Sequence, residues 1–165
     1  MRKTRLLLTA NLLLLLGAAS FDLAAADAGI RITSIAETEI EVVASDGTKR
    51  IKRTSLERAI PGTEVIFTNR VENLSGKPAQ ELVIDNPIPK ETGYKAGSAF
   101  GKDTQIAFSA DGGKSYDLAA KLRVKGADGR PRVALPDEYT HIRWTLPGQF
   151  AAGKSGEVGF RAVVR

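Results

Sequence analysis

Beyond residue 26, apolar side chains in this chain recur at every second position, and nowhere at the three-to-four spacing of an amphipathic helix. Ile30 and Ile32 alternate with Arg31 and Thr33, and Ile40 and Val42 with Glu39 and Glu41. Val65, Phe67 and Val71 share one phase, as do Leu82 and Ile84, then Ile142, Trp144 and Leu146, then Val158, Phe160, Ala162 and Val164. A period of two turns one face of a strand toward a core and the other toward water. Turn residues separate these runs: Pro61-Gly62, the stretch 73–78, Asp111-Gly112-Gly113, 126–131 and 147–153. The spacing predicts strands over 63–73, 80–85, 104–109, 115–118, 122–124, 139–146 and 158–164. Pro87 and Pro89 end the second, because neither can donate to a ladder. With the strands ahead of residue 60 included, about 7–9 short strands predict an all-β chain folded as an antiparallel β-sandwich.

The first residues read as an address. Met1-Arg2-Lys3-Thr4-Arg5 is cationic, 6–16 is apolar except for Thr9 and Asn11, and Ala24-Ala25-Ala26 supplies the small residues of a cleavage site. That pattern predicts a secretory signal peptide over 1–26, cut after Ala26 or, as a second option, after Ala28. The apolar run is shorter than the ~20 residues that span a bilayer, so no stable membrane insertion is expected once the leader is removed. Without an Arg-Arg pair the general secretion route is expected, with the periplasm or the cell exterior as destination. Arg2, Lys3, Arg5 and Asp22 leave with the leader, so the formal charge of +5 falls to +3. So small an excess does not point to nucleic acid. The chain has no cysteine, which excludes disulfides, thiolate metal sites and a cysteine nucleophile. Stability must come from packing, and a mature chain of this length can bury a core unaided.

Ahead of residue 60, Ser45-Asp46-Gly47-Thr48 lies between two alternating runs and predicts a hairpin. With Asp46-Gly47 at the turn centre, Ala44 lies opposite Lys49, Val42 opposite Ile51 and Glu41 opposite Lys52. In the 63–73 strand, Asn69 falls on the apolar face, where a buried amide needs hydrogen-bond partners.

Taken together, Pro61-Gly62, Phe67, Asn73, Asn86-Pro87-Ile88-Pro89, Gly97-Ser98, Trp144 and the run from Gly153 to Val164 resemble a bacterial surface family catalogued as domain of unknown function eleven. The resemblance covers about 60–165. It implies an immunoglobulin-like sandwich of the kind often repeated along large envelope proteins. It divides the chain into a signal peptide (1–26), an N-terminal strand and hairpin that join or pack on the sandwich (27–59), and the sandwich itself (60–165). Asn86 stands where the family has Asp, Asn69 stands where it favours an apolar residue, and the domain is present once, with an added hairpin ahead of it. The family carries no established catalytic residues, so the resemblance supplies none.

The chemistry-bearing residues read mostly as structure. Ser109-Ala110-Asp111-Gly112-Gly113-Lys114-Ser115-Tyr116 fits an Asp-box, in which the Asp bonds its own turn and Gly takes a positive φ. One copy cannot build a propeller. Asp111, Asp117 and Asp128 lack the dense oxygen spacing of a calcium loop. His141, the only histidine, is out of phase with Ile142 and Trp144 and is expected to face water, and no Gly-x-Ser-x-Gly elbow accompanies it. Asn73-Leu74-Ser75 matches a glycosylation sequon but reads as a turn. No catalytic, cofactor-binding or metal-binding residue is assigned, and no enzyme is expected.

The candidate interaction surface is the basic run Lys49, Arg50, Lys52 and Arg53, with Ile30 and Ile32 as a candidate strand to be exchanged between subunits. The partners expected are envelope or surface proteins, with self-association through open β edges. Two alternatives accompany this reading. One is a fibre subunit assembled by strand exchange. The other is a glycan or envelope-polymer binder, which would need exposed aromatics among Tyr94, Tyr116 and Tyr139.

Overall fold

The computed structural model describes residues 29–165 together with two short strands, β1 (Arg5–Leu6) and β2 (Asp22–Ala24); the leader predicted over 1–26 otherwise lies outside the described residues. The further strands, in chain order, are β3 (Ile30–Val43), β4 (Lys49–Ser55), β5 (Glu64–Asn73), β6 (Ala79–Pro87), β7 (Thr92–Tyr94), β8 (Phe100–Gly101), β9 (Gln105–Ser109), β10 (Arg123–Lys125), β11 (Pro131–Val133), β12 (His141–Phe150) and β13 (Ser155–Val164). A 3₁₀ turn, Pro136–Glu138, precedes β12. The fold is an all-β sandwich, as the period of two predicts.

The larger sheet has the order β3-β5-β13-β7, with β8 also on β13 and β4 on the outer side of β3. The smaller sheet is β6-β12-β9. Every pair among these strands is antiparallel. β1 lies parallel to β6, and β2 runs along β3 at Arg31–Thr33. β10 and β11 form a separate hairpin outside both sheets.

The alternating side chains meet between the sheets. Trp144 and Phe160 are both fully buried, with ring centroids 6.4 Å apart, and Phe67 stacks on Phe160 at 5.1 Å. At one end Tyr94, Phe108 and Tyr139 close the core with centroids 4.7–5.7 Å apart. Each of these rings removes well over 100 Å² from water. Asn69 finds the partners its position demands. Ser34 donates to its Oδ1 at 2.7 Å, and its Nδ2 donates to Asn86 Oδ1, on the opposite sheet, at 3.0 Å.

Four local expectations are corrected. First, the hairpin register is Val42↔Arg50 and Glu41↔Ile51, one residue from that predicted. Its loop is Ser45-Asp46-Gly47, closed by Ala44 N–H donating to Thr48 O (2.8 Å) and Gly47 N–H to Ala44 O (2.9 Å), with Gly47 at φ 82°. This is the three-residue loop, a turn followed by a left-handed glycine, in place of the two-residue turn. Second, the predicted strand 115–118 is one bridge, Phe108↔Asp117. The Asp-box turn occupies most of the residues that would have paired. Third, β12 continues through Pro147, where the register slips between Leu146 and Gln149 and Gly148 takes φ 82°. Proline is accommodated there because the bulge already interrupts the ladder. Fourth, His141 is half-buried. The Asp-box loop folds onto its ring so closely that a Cβ on Gly113 would lie 3.3 Å from it.

Candidate functional site

β3 has fourteen residues, but only Ile30–Glu37 pairs with β5. From Thr38 onward its ladder partner among the described residues is β4 alone. Residues 39–43 therefore carry a two-stranded arm past the sandwich by about 17 Å, at ~3.4 Å per residue. Its side chains are mostly exposed, including Ile40 (43%), Val43 (66%) and Ile51 (65%).

The corrected register sorts the arm's charges by face. One face carries Glu39, Glu41, Lys49 and Arg53, and these neutralise one another: Lys49 Nζ lies 2.8 Å from Glu41 and Arg53 Nε 3.6 Å from Glu39. The other face carries Arg50 opposite Val42 and Lys52 opposite Ile40. Neither of these two cations has an ion-pair partner among the described residues.

The base of the arm is tied to the sandwich. Arg161 on β13 donates to both carboxylate oxygens of Glu39 (2.8 and 2.9 Å) and to Glu64 on β5 (2.7 Å), and Lys95 donates to Glu64 at 2.6 Å. These charge-assisted bonds hold the Glu39 and Glu64 carboxyls below the usual carboxylate range, Glu39 chiefly through Arg161 and Glu64 chiefly through Lys95. Arg161 is raised above its ordinary value, first by Glu39.

Of the residues predicted for an interaction surface, Lys49, Arg50, Lys52 and Arg53 stand together on the arm. Ile30 and Ile32 do not join them. They lie at the far end of β3 with 6% and 3% exposure, packed into the core of their own chain. Sequence reasoning missed Arg161 and Glu64. Each sits on an outward position of its strand, but only the register of β5 with β13 places them side by side.

A second polar cluster covers the outer face of the smaller sheet. Asp85, 5% exposed, accepts two hydrogen bonds from Arg143 at 2.6 and 2.7 Å, and the guanidinium lies 3.7 Å above the Tyr116 ring. In the Asp-box loop Asp111 accepts from Lys114 N–H, Ser115 N–H, Ser115 Oγ and Ser109 Oγ. Those bonds, led by Ser115, hold its carboxyl far below the usual range. Burial lowers the His141 pKa. Every acid in this cluster is already committed to a partner, so it reads as a clasp that pins the loop to the sheet. Among the described residues no group of three or more His, Asp or Glu is placed to hold a metal ion.

The aromatics that a glycan platform needs are occupied. Tyr94 and Tyr139 are buried in the core, and Tyr116 caps Arg143. Compared with protein-family models, curated proteins and solved structures, the chain matches none of them.

Proposed function

We propose that this protein is an exported, non-enzymatic β-sandwich module of a bacterial cell envelope, acting by protein–protein contact through its projecting basic arm. The arm carries the reading. It holds an exposed cluster of apolar and basic side chains on a base tied to the sandwich through Arg161, whereas the Asp85–Arg143 pair and Asp111 are spent on internal ties. The leader pattern supports export, and the family resemblance supports the envelope. The pairing of Ile30–Glu37 within the chain favours a self-contained module over strand exchange between subunits.

The test is to express the full chain in a bacterium, fractionate the cells and sequence the N-terminus of the product. A protein beginning at Asp27 or Gly29 outside the cytoplasm is expected. Replacing residues 39–53 by a short turn should then abolish the envelope proteins that cross-link to it while leaving its thermal unfolding cooperative. An uncut cytoplasmic product would overturn the export reading. Hydrolysis of cell-wall or glycan substrates, abolished by one point mutation, would overturn the non-enzymatic one.

A further inference from the structure

We infer that the free edge of β4 receives an extended strand from an acidic partner protein. The inference rests on the reading of the arm as a protein-contact surface and states the chemistry of the partner. Among the described residues β4 has a ladder partner on one side only, β3. Its other side presents the backbone donors and acceptors of a strand edge, which is a template for a further strand.

A second copy of this chain is a poor occupant. β4 carries Lys49, Arg50, Lys52 and Arg53, four cations in five residues, and two such edges laid together set like charges opposite one another. An acidic strand has the opposite property, and the two faces of the arm say where its charges belong. Glu41 and Glu39 already answer Lys49 and Arg53 on one face. On the other, Arg50 and Lys52, two positions apart, are unanswered. An incoming strand therefore matches the edge when it sets two carboxylates two residues apart, opposite Arg50 and Lys52. The residue between them, on the other face beside the exposed Ile51, is apolar. The recognition pattern is acid, apolar, acid.

The test uses the purified protein and two synthetic peptides, one alternating Glu and Val and its counterpart alternating Lys and Val. The Glu peptide is expected to protect the amides of β4 from hydrogen exchange and to bind about tenfold or more weakly at high salt. Exchanging both cations, Arg50→Glu with Lys52→Glu, should weaken the Glu peptide about tenfold and transfer binding to the Lys peptide. That transfer is a readout a merely structural role would not give. Glu-peptide binding that ignores the double substitution, or protection that falls on another edge, overturns the inference. So does binding to phosphatidylglycerol vesicles with no peptide protection of β4. Photo-cross-linking in the envelope separates the two levels. Partners captured from another face overturn the β4 inference and leave the protein-contact reading standing, whereas no partner from any face sinks both.

Discussion

At the scale of single residues, the fold depends on a few buried polar groups whose accounts differ. Asn73 is fully buried. Its Nδ2 donates to the carbonyls of Lys77 and Phe150 at 2.9 Å and of Ala151 at 3.2 Å, while its Oδ1 accepts from Ser75 N–H and Ser75 Oγ. It joins the loop after β5 to the turn after β12, and it is in no position to accept a glycan. Asn73→Ala should cost about 3 kcal/mol, because buried carbonyls lose their donor. Asn73→Asp should cost more, since a carboxylate turns acceptors toward those same carbonyls; urea midpoints of the two variants would rank them. Thr68 is the contrary case. Its Oγ1 is buried with no hydrogen-bond partner among the described residues. Thr68→Val removes an unpaired hydroxyl at nearly constant shape and should raise stability by about 1 kcal/mol in the same measurement. Trp144 Nε1 is unpaired too, but Trp144→Phe offers no such gain, because the smaller ring leaves a void that costs ~24 cal/mol per Å³.

At the scale of elements, the arm and the β10–β11 hairpin are each held by ionic ties whose loss should be local. Arg161→Gln removes the guanidinium that bridges Glu39 and Glu64, leaving Glu64 to Lys95. Amides of 39–43 should then exchange several-fold faster while those of β5 and β12 keep their protection, the signature of local opening. An unchanged arm would show that the β3–β4 ladder alone sets its direction. The turn at Pro136–Glu138 is clasped to β11 by Arg132, which donates to both Glu138 oxygens at 2.6 and 2.7 Å, with Leu135 N–H also donating to Glu138. These bonds, led by Arg132, lower the Glu138 pKa from the usual 4.5 to about 2. A depressed carboxylate stabilises the fold above its unfolded pKa and loses that contribution as pH falls through the folded one. The clasp is therefore intact above pH 4.5 and released toward pH 2. A carboxyl NMR titration should place the Glu138 midpoint near the lower value and return it toward 4.5 in Arg132→Gln.

At the scale of the whole molecule, the sandwich was legible because its signal is repeated in every strand. Val65, Phe67, Ile142, Trp144 and Phe160 each turn inward as alternation requires, and the error of one residue at Asp46-Gly47 stays confined to the hairpin. What alternation does not carry is which strands are neighbours. Arg161, Glu39 and Glu64 are far apart in sequence and become one network only through the order β3-β5-β13. Asn69 and Asn86 show the same limit. Nothing in the sequence links the two, and the structure joins them in one hydrogen bond across the core. The charge on Lys49, Arg50, Lys52 and Arg53 was visible, but its division into a neutralised face and an unanswered one depended on a register the turn residues did not specify.

The place of β13 has a consequence for synthesis. This strand, residues 155–164, lies inside the larger sheet, with β5 on one side and β7 and β8 on the other. While the chain is being made, β7 and β8 have nothing to pair with and the inner side of β5 is bare. Non-local pairing of this kind is slow to form and cannot begin before its last member exists. The larger sheet is therefore expected to stay incomplete until about residue 164 has left the ribosome. Ribosome-bound chains stopped before residue 155 should remain protease-sensitive along β5, and chains carried past residue 164 and clear of the exit tunnel should not.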